Sequence, residues 1–399
     1  MRTIYVDKII PKMLMVKVLR PVWPAVVFSP LSSARLANIP EPPLPGPSGV
    51  RVRNRVCGLC ASDLSLFHVH ADPAIGPAAL PGNSRFYLGH EVVSEVVEVG
   101  RQVKKLHPGQ RVVMEHRETG ASCHELGIDP ACRFCQSGLN NLCENAGGMV
   151  GVGGGWSDGY TAQASNVFPV PDDLSDDQAA MIEPMSVAIH GVLRRPPGAQ
   201  EQVLVLGAGI IGLLTMQAVR AFRPRARLTA LARHPYQAQA ARQCGADDVV
   251  TGGDVYAEMA RLTGGRAYTA PLNRGMLMGG FDVVYDCVGS STSITDALRW
   301  TRARGTVVLV GINLTLLRVD LNPIWYQEVD LVGSKTHATS EWQGTRRHDF
   351  EWAIRFQRSG RMRIENLITH RFPLAEYRQA IRTATEKRRT HAIKVVFDL

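Results

Sequence analysis

The sequence predicts an α/β protein of two domains, in which a doubly wound parallel sheet is inserted into a β-rich domain. Three observations predict it. The 399 residues, 45% of them hydrophobic, exceed what one ordinary core organises. Residues 202–222 run from a short apolar strand through closely spaced glycines into a helical pattern. Upstream, strand-like runs of valine surround an island of cysteines.

Composition narrows the class. Charged residues make up 20% and no low-complexity tract occurs, which argues against disorder. Apolar runs are interrupted well before the length of a membrane span. In the N-terminal stretch Pro11, Lys12 and Lys17 break any leader-like apolar run, so a cytoplasmic protein with no membrane partner is expected. The net charge of +9 reads as an arginine-rich surface. The dense basic run 386–389 carries no interleaved aromatics, which argues against nucleic acid, while a basic chain favours an anionic ligand such as a nucleotide.

Residues 50–56 alternate Val50, Val52 and Val56 with Arg51, Arg53 and Arg55, a strand with one buried face that ends at Gly58. The proline-rich 39–49 before it reads as an extended or turning connector. Cys60 then heads a turn or helix that Ser62 or Asp63 can cap. His90 precedes a valine-rich strand, and Glu183 precedes a proline far downstream. A cysteine, a histidine and a carboxylate drawn from three separate segments can form an open zinc site whose fourth position is free for substrate.

Half of the eight cysteines lie between Cys123 and Cys143. Cys132-x-x-Cys135 is a chelating pair, and Cys123 and Cys143 flank it. Four thiolates satisfy tetrahedral zinc with no open position, so the lobe at about 120–145 is read as a structural zinc site. Cys244 and Cys287 stand alone in apolar or helical contexts and read as buried thiols.

In the second half, Val203 to Leu206 form a fully apolar strand of the kind a buried parallel sheet needs. Gly207-x-Gly209-x-x-Gly212 follows at once, with Ile210 and Ile211 opening a helix. Strand, glycine turn and helix together are the fingerprint of a dinucleotide site, with pyrophosphate at the helix N-terminus. The next strand is expected to end in an acid that holds the ribose of NAD. That position is Ala232, followed by Arg233. A guanidinium there suits a 2′-phosphate, so NADP(H) is expected over NAD(H). Apolar strands follow at 281–289 and 305–311, and 329–334 reads as the last of the sheet. The glycine-rich 264–280 reads as a long connection, either a surface loop or an interface segment. The tail holds two helical patterns and a final strand, AIKVVFDL.

Taken together, GLCASD, GHE with its valine-rich strand, the cysteine lobe, EPMSVAIH and the glycine motif resemble the zinc-containing medium-chain alcohol dehydrogenases over nearly the whole chain. EPMSVAIH resembles the polyol, sugar and threonine dehydrogenase branch. The resemblance implies a GroES-like catalytic domain at 1–185 and 336–399, a Rossmann domain at 186–335, and an active site in the cleft between them. It implies Cys60, His90 and Glu183 as ligands of a catalytic zinc, Glu91 as an alternate ligand, Asp63 orienting His90, and Ser62 accepting the substrate's proton. It also implies that Val288, Gly289, Val310 and Gly311 border the nicotinamide, and that two zinc ions bind each chain of a homodimer or homotetramer.

Two departures stand out. The histidine that ends the proton relay in many relatives is Ser65 here, with His68 and His70 nearby. The first lobe cysteine is replaced by Asp129, so Cys123 reaching in from a longer loop completes that set, or Asp129 does, or the lobe is poor in metal; Cys123 is the expected ligand. The expected function is zinc-dependent hydride transfer between NADP(H) and a small secondary alcohol, polyol or sugar-like molecule, or the matching ketone. The alternatives are a zinc-free C=C reductase and a non-enzymatic nucleotide-binding protein on the same fold.

Overall fold

The computed structural model describes residues 1–72, 84–115, 121–145, 151–269, 271 and 275–399. The chain divides into two compact units, Met1–Glu183 with Ile364–Leu399, and Pro184–Arg363.

The first unit is built on a seven-stranded sheet. Its centre is Gly49–Gly58, which pairs antiparallel with Val92–Val99 on one side. The other side is shared by Gly159–Gln163 and the last strand of the chain, Lys394–Asp398. Arg111–Met114 and Val167–Pro169 continue the sheet beyond Val92–Val99. The alternation read from sequence is the alternation observed. Val50 and Val52 are buried in the core with Val92, Val96, Trp156 and Phe397, while Arg51 and Arg53 face out to Glu98 and Glu95. At the far edge Ile368–Pro373 lies parallel to Lys394–Asp398, with the helix Tyr377–Thr385 between them in the chain. The N-terminus adds a strand, Arg2–Asp7, and a helix, Ile10–Leu19, that the sequence reading had not assigned; Pro11 sits in its first turn, where a missing N–H costs nothing.

The second unit carries six parallel strands in the order Asp248–Val250, Arg227–Leu231, Gln202–Leu206, Phe281–Asp286, Thr301–Leu309, Asp330–Gly333. The order reverses between Gln202–Leu206 and Phe281–Asp286, which is the switch point of a Rossmann sheet. Gly207, Val288, Gly289, Val310 and Gly311 all follow the carboxyl ends of these strands.

The division of the chain differs from the expected one. Its second break falls after Arg363, not near 335. Residues 339–348 form a hairpin, Thr339–Trp342 with Thr345–His348, turning at Gln343 and Gly344, both at positive φ. The helix Asp349–Arg358 follows. The ring of Phe222 on the glycine-turn helix gathers Trp342, Trp352 and Phe356 at centroid distances of 5.1, 5.8 and 5.0 Å. Those aromatic contacts tie 336–363 to the nucleotide unit. The long connection at 264–280 also contains structure, an antiparallel ribbon of Arg266–Thr269 with Gly275–Met278. No helix among the described residues is long and apolar enough to cross a membrane.

Candidate active site

The central strand Gly49–Gly58 delivers the chain to Cys60, the residue that opens the short helix Ala61–Phe67. No side chain caps that helix; Ser62 and Asp63, expected as caps, turn to other partners. Ser62 donates its hydroxyl toward the Cys60 sulfur at 3.2 Å. Asp63 accepts from the Gly89 amide at 2.9 Å, and its other oxygen lies 3.4 Å from Nδ1 of His90. A carboxylate on Nδ1 fixes the orientation of the ring.

Cys60, His90 and Glu91 each bring a ligand atom within 4.8 Å of the others. Glu183 is buried in the first turn of Ile182–Arg194, and among the described residues the group within that range takes Glu91 as its carboxylate, not Glu183. Glu91 in turn meets Lys394, which the C-terminal strand carries back beside it. The Lys394 ammonium also donates to the Leu59 carbonyl at 3.3 Å. Burial works to lower the pKa of Lys394, but the charges of Glu91, Cys60 and Glu183 outweigh it and hold it above its ordinary value. His90 follows the same pattern: burial opposes its proton, and Asp63 and Cys60 raise its affinity well above normal. Cys57, three residues before Cys60, faces the core, and burial pushes its thiol up. It is packing, not a ligand.

The cysteine island is compact. Cys123, Cys132, Cys135 and Cys143 all lie within 4.8 Å of one another through their sulfurs. Cys123 opens the turn of helix Cys123–Leu126, which carries a Ser122/Glu125 capping box and ends at Gly127 in the left-handed region. Its sulfur lies 3.6 Å from that of Cys143 and accepts from the Cys132 amide and the Asn145 side chain, both at 3.3 Å. Asp129 is exposed and outside this group. Backbone amides of Glu144 and Cys135 bring the Cys132 thiol down to about 6, while burial raises Cys135 to about 12 and lifts Cys143. No cysteine of the chain is in a disulfide; Cys244 is buried and Cys287 partly so.

In the second unit the glycine turn is sterically enforced. A side chain on Gly207, at φ 97°, would meet Val288 at 2.5 Å, and one on Gly212 would lie 1.7 Å from the Gly207 carbonyl. An added Cβ on Gly209 meets nothing within 4 Å, so the loop is open on that side. Gly209 opens the helix Ile210–Phe222, and Ile210 and Ile211 begin it half-buried. Arg233 is exposed just past Arg227–Leu231, and no ion pair among the described residues holds it. The neighbouring His234 stacks on Tyr236.

Sequence reasoning missed two residues. Lys394 opens the final strand Lys394–Asp398, and its role shows only once that strand is paired in the sheet. Asp286 ends its strand fully buried, and its carboxylate accepts from the amides of Val288 and Gly289 at 2.8 and 3.1 Å and from Ser293 at 2.9 Å. It shapes the Val288–Gly289 loop.

Comparison with known proteins decides the family. Residues 46–172 match the alcohol dehydrogenase GroES-like domain, and residues 211–356 match the zinc-binding dehydrogenase domain. An L-idonate 5-dehydrogenase of Vitis vinifera is 33% identical over 361 residues, 89% of each chain. This chain belongs to the zinc-containing medium-chain alcohol dehydrogenases. A sorbitol dehydrogenase of Arabidopsis thaliana is 32% identical over 90% of each chain. Among solved structures, 2R,3R-butanediol dehydrogenase of Bacillus subtilis superposes with a TM-score of 0.70 at 27% identity, covering 92% of this chain and 96% of its own. A zinc-binding dehydrogenase of Sinorhizobium meliloti bound to NADP gives 0.68 at 26% identity, covering 92% and 95%. The protein is therefore an oxidoreductase of the alcohol dehydrogenase type that uses zinc and a nicotinamide cofactor.

The residues fit those groups. Cys60, His90 and Glu91 bring a sulfur, a nitrogen and a carboxylate oxygen within 4.8 Å of one another in a buried place, with Glu183 near enough to act on the same Lys394, and that donor set suits a divalent cation. The glycine turn and the open helix end fit a pyrophosphate.

Proposed function

We propose that this dehydrogenase oxidises a secondary hydroxyl of a polyol or sugar-like substrate, or reduces the matching ketone, with NADP(H). The approach of Cys60 to the adjacent pair His90 and Glu91, within 4.8 Å and from a separate segment, carries the reading. The names of the relatives, L-idonate, sorbitol and D-arabinitol dehydrogenases, support the substrate class.

Cys60 and His90 would hold the catalytic zinc, with Glu183 as third ligand and Glu91 as the alternate carboxylate. When bound, the ion supplies a Lewis acid that polarises the substrate oxygen. The chain's own residues do the rest. Asp63 keeps the His90 ring in one orientation. Lys394 sets a cation against the Glu91 carboxylate, so that neither charge of the buried pair stands alone. Ser62 takes the proton of the substrate hydroxyl; its Oγ, 3.2 Å from the Cys60 sulfur, is the hydroxyl nearest the ligands in sequence. Gly207, Gly209 and Gly212 admit the pyrophosphate, Ile210 and Ile211 open the helix behind it, and Val288, Gly289, Val310 and Gly311 border the nicotinamide. Arg233, exposed and without an ion partner among the described residues, would meet a 2′-phosphate.

The four lobe cysteines would hold a second, structural zinc, with Cys123 rather than Asp129 as the first ligand. A homodimer is supported by the edge strand Asp330–Gly333 and the exposed Leu316, Leu321, Trp325 and Tyr326 before it. Eight unpaired cysteines support a reducing, cytoplasmic setting.

Cys60→Ala tests the catalytic reading. Turnover of polyols should vanish while NADPH still binds. Full activity in that variant would refute the metal mechanism and favour the zinc-free reductase.

A further inference from the structure

The segment 8–35 lies before the first family match, which starts at residue 46. Its helix Ile10–Leu19 is apolar on both sides. Inward, Val16 is fully buried, and Met13 and Leu19 pack on the core of the first unit. Outward, Ile10, Leu14 and Val18 recur every fourth residue, and Val18 is 75% exposed. The stripe continues into Val22, 84% exposed, and Trp23. This face has a fixed geometry, because Arg20 donates to the His68 carbonyl at 2.8 Å and Phe28 packs on Phe67 at 5.6 Å.

The charge of the segment selects what covers it. Residues 8–35 carry Lys8, Lys12, Lys17, Arg20 and Arg35 and no acid, and Arg35 is paired to the carboxylate of Asp7, just before the segment. A second copy docking face to face would set these bases against their own copies. An apolar stripe with a tryptophan at its end, on a purely basic segment, matches an anionic lipid surface. We propose that the face of Ile10, Leu14, Val18, Val22 and Trp23 is a peripheral docking site for an anionic bilayer. The sequence reading excluded a membrane partner on the length needed to span; a helix lying in the interface needs no such length.

The experiment uses the full chain with vesicles of three parts phosphatidylcholine to one of phosphatidylglycerol, and with phosphatidylcholine alone. The parent should co-sediment with the anionic vesicles at least about tenfold better than with the neutral ones, and the Trp23 emission, isolated by difference against Trp23→Phe, should shift to the blue. The double variant Val18→Glu, Val22→Glu should keep its turnover, which reports folding, and lose at least about tenfold in anionic binding. Absence of binding by the parent overturns the proposal. So does equal binding by the double variant, which would mean adsorption through the net charge elsewhere. An oligomer that the double variant breaks apart, seen by sedimentation velocity, also overturns it and assigns the face to a second copy.

Discussion

Lys394 and Glu91, 303 positions apart, form an ion pair in which each side chain is 1% exposed, directly behind Cys60 and His90. The last strand of the chain is thus part of the catalytic unit, and the active centre is complete only when the chain has returned to pair with Gly49–Gly58.

Removing one partner of a buried pair leaves the other charge uncompensated. Lys394→Met should cost about 3–5 kcal/mol in denaturant unfolding and lower turnover. Lys394→Arg should recover most of both. Equal loss in the two variants would mean that shape, not charge, matters at this position.

His68 gives a pH dependence. Burial, with Arg20 beside it, lowers its pKa below the ordinary histidine value. Its folded pKa being the lower one, the unfolded chain takes up the proton first. The contribution of neutral His68 is therefore complete above about pH 6.5 and is lost as pH falls through the folded pKa. Stability measured from pH 7 downward should fall, and His68→Gln should make the fall shallower. An unchanged slope would assign the acid sensitivity to other groups.

Arg233 decides the cofactor. A charge-assisted contact to a 2′-phosphate is worth about 1.5–3 kcal/mol, so Arg233→Ala should raise KM for NADPH roughly tenfold or more and leave NADH nearly unchanged. Parallel loss of both cofactors would contradict a 2′-phosphate contact.

The cysteine lobe separates its two candidate ligands. Cys123→Ala should lower zinc content by one ion and reduce thermal stability, because a structural site is held by its full ligand set. Asp129→Asn should do neither, since Asp129 is exposed outside the sulfur cluster.

What was legible in the sequence was what is local or carries a spelling of its own. Gly207, Gly209 and Gly212 follow their strand at once, and steric necessity keeps the pattern readable. Val50 and Val52 announce their buried face by alternation. Lys394 was not legible, because its meaning lies in the pairing of Lys394–Asp398 with a strand more than three hundred positions earlier. The break after Arg363 was hidden for the same reason: it depends on Phe222 meeting Trp342, Trp352 and Phe356. The helix Ile10–Leu19 was not assigned, because Pro11, Lys12 and Lys17 were weighed only as interruptions of an apolar run, although proline is well suited to a first turn. Glu183 and Glu91 were both named from resemblance, and only side-chain geometry distinguishes which of them stands nearer Cys60 and His90.

The central claim is that two separate metal sites serve two separate purposes, and zinc per chain tests it most directly. It is measured on protein purified without added metal, before and after mild chelation, and on Cys60→Ala. The account predicts two zinc ions, one stripped by the chelator with loss of activity, and that same ion missing from Cys60→Ala. Two ions retained in Cys60→Ala, or activity that survives complete removal of zinc, would contradict it.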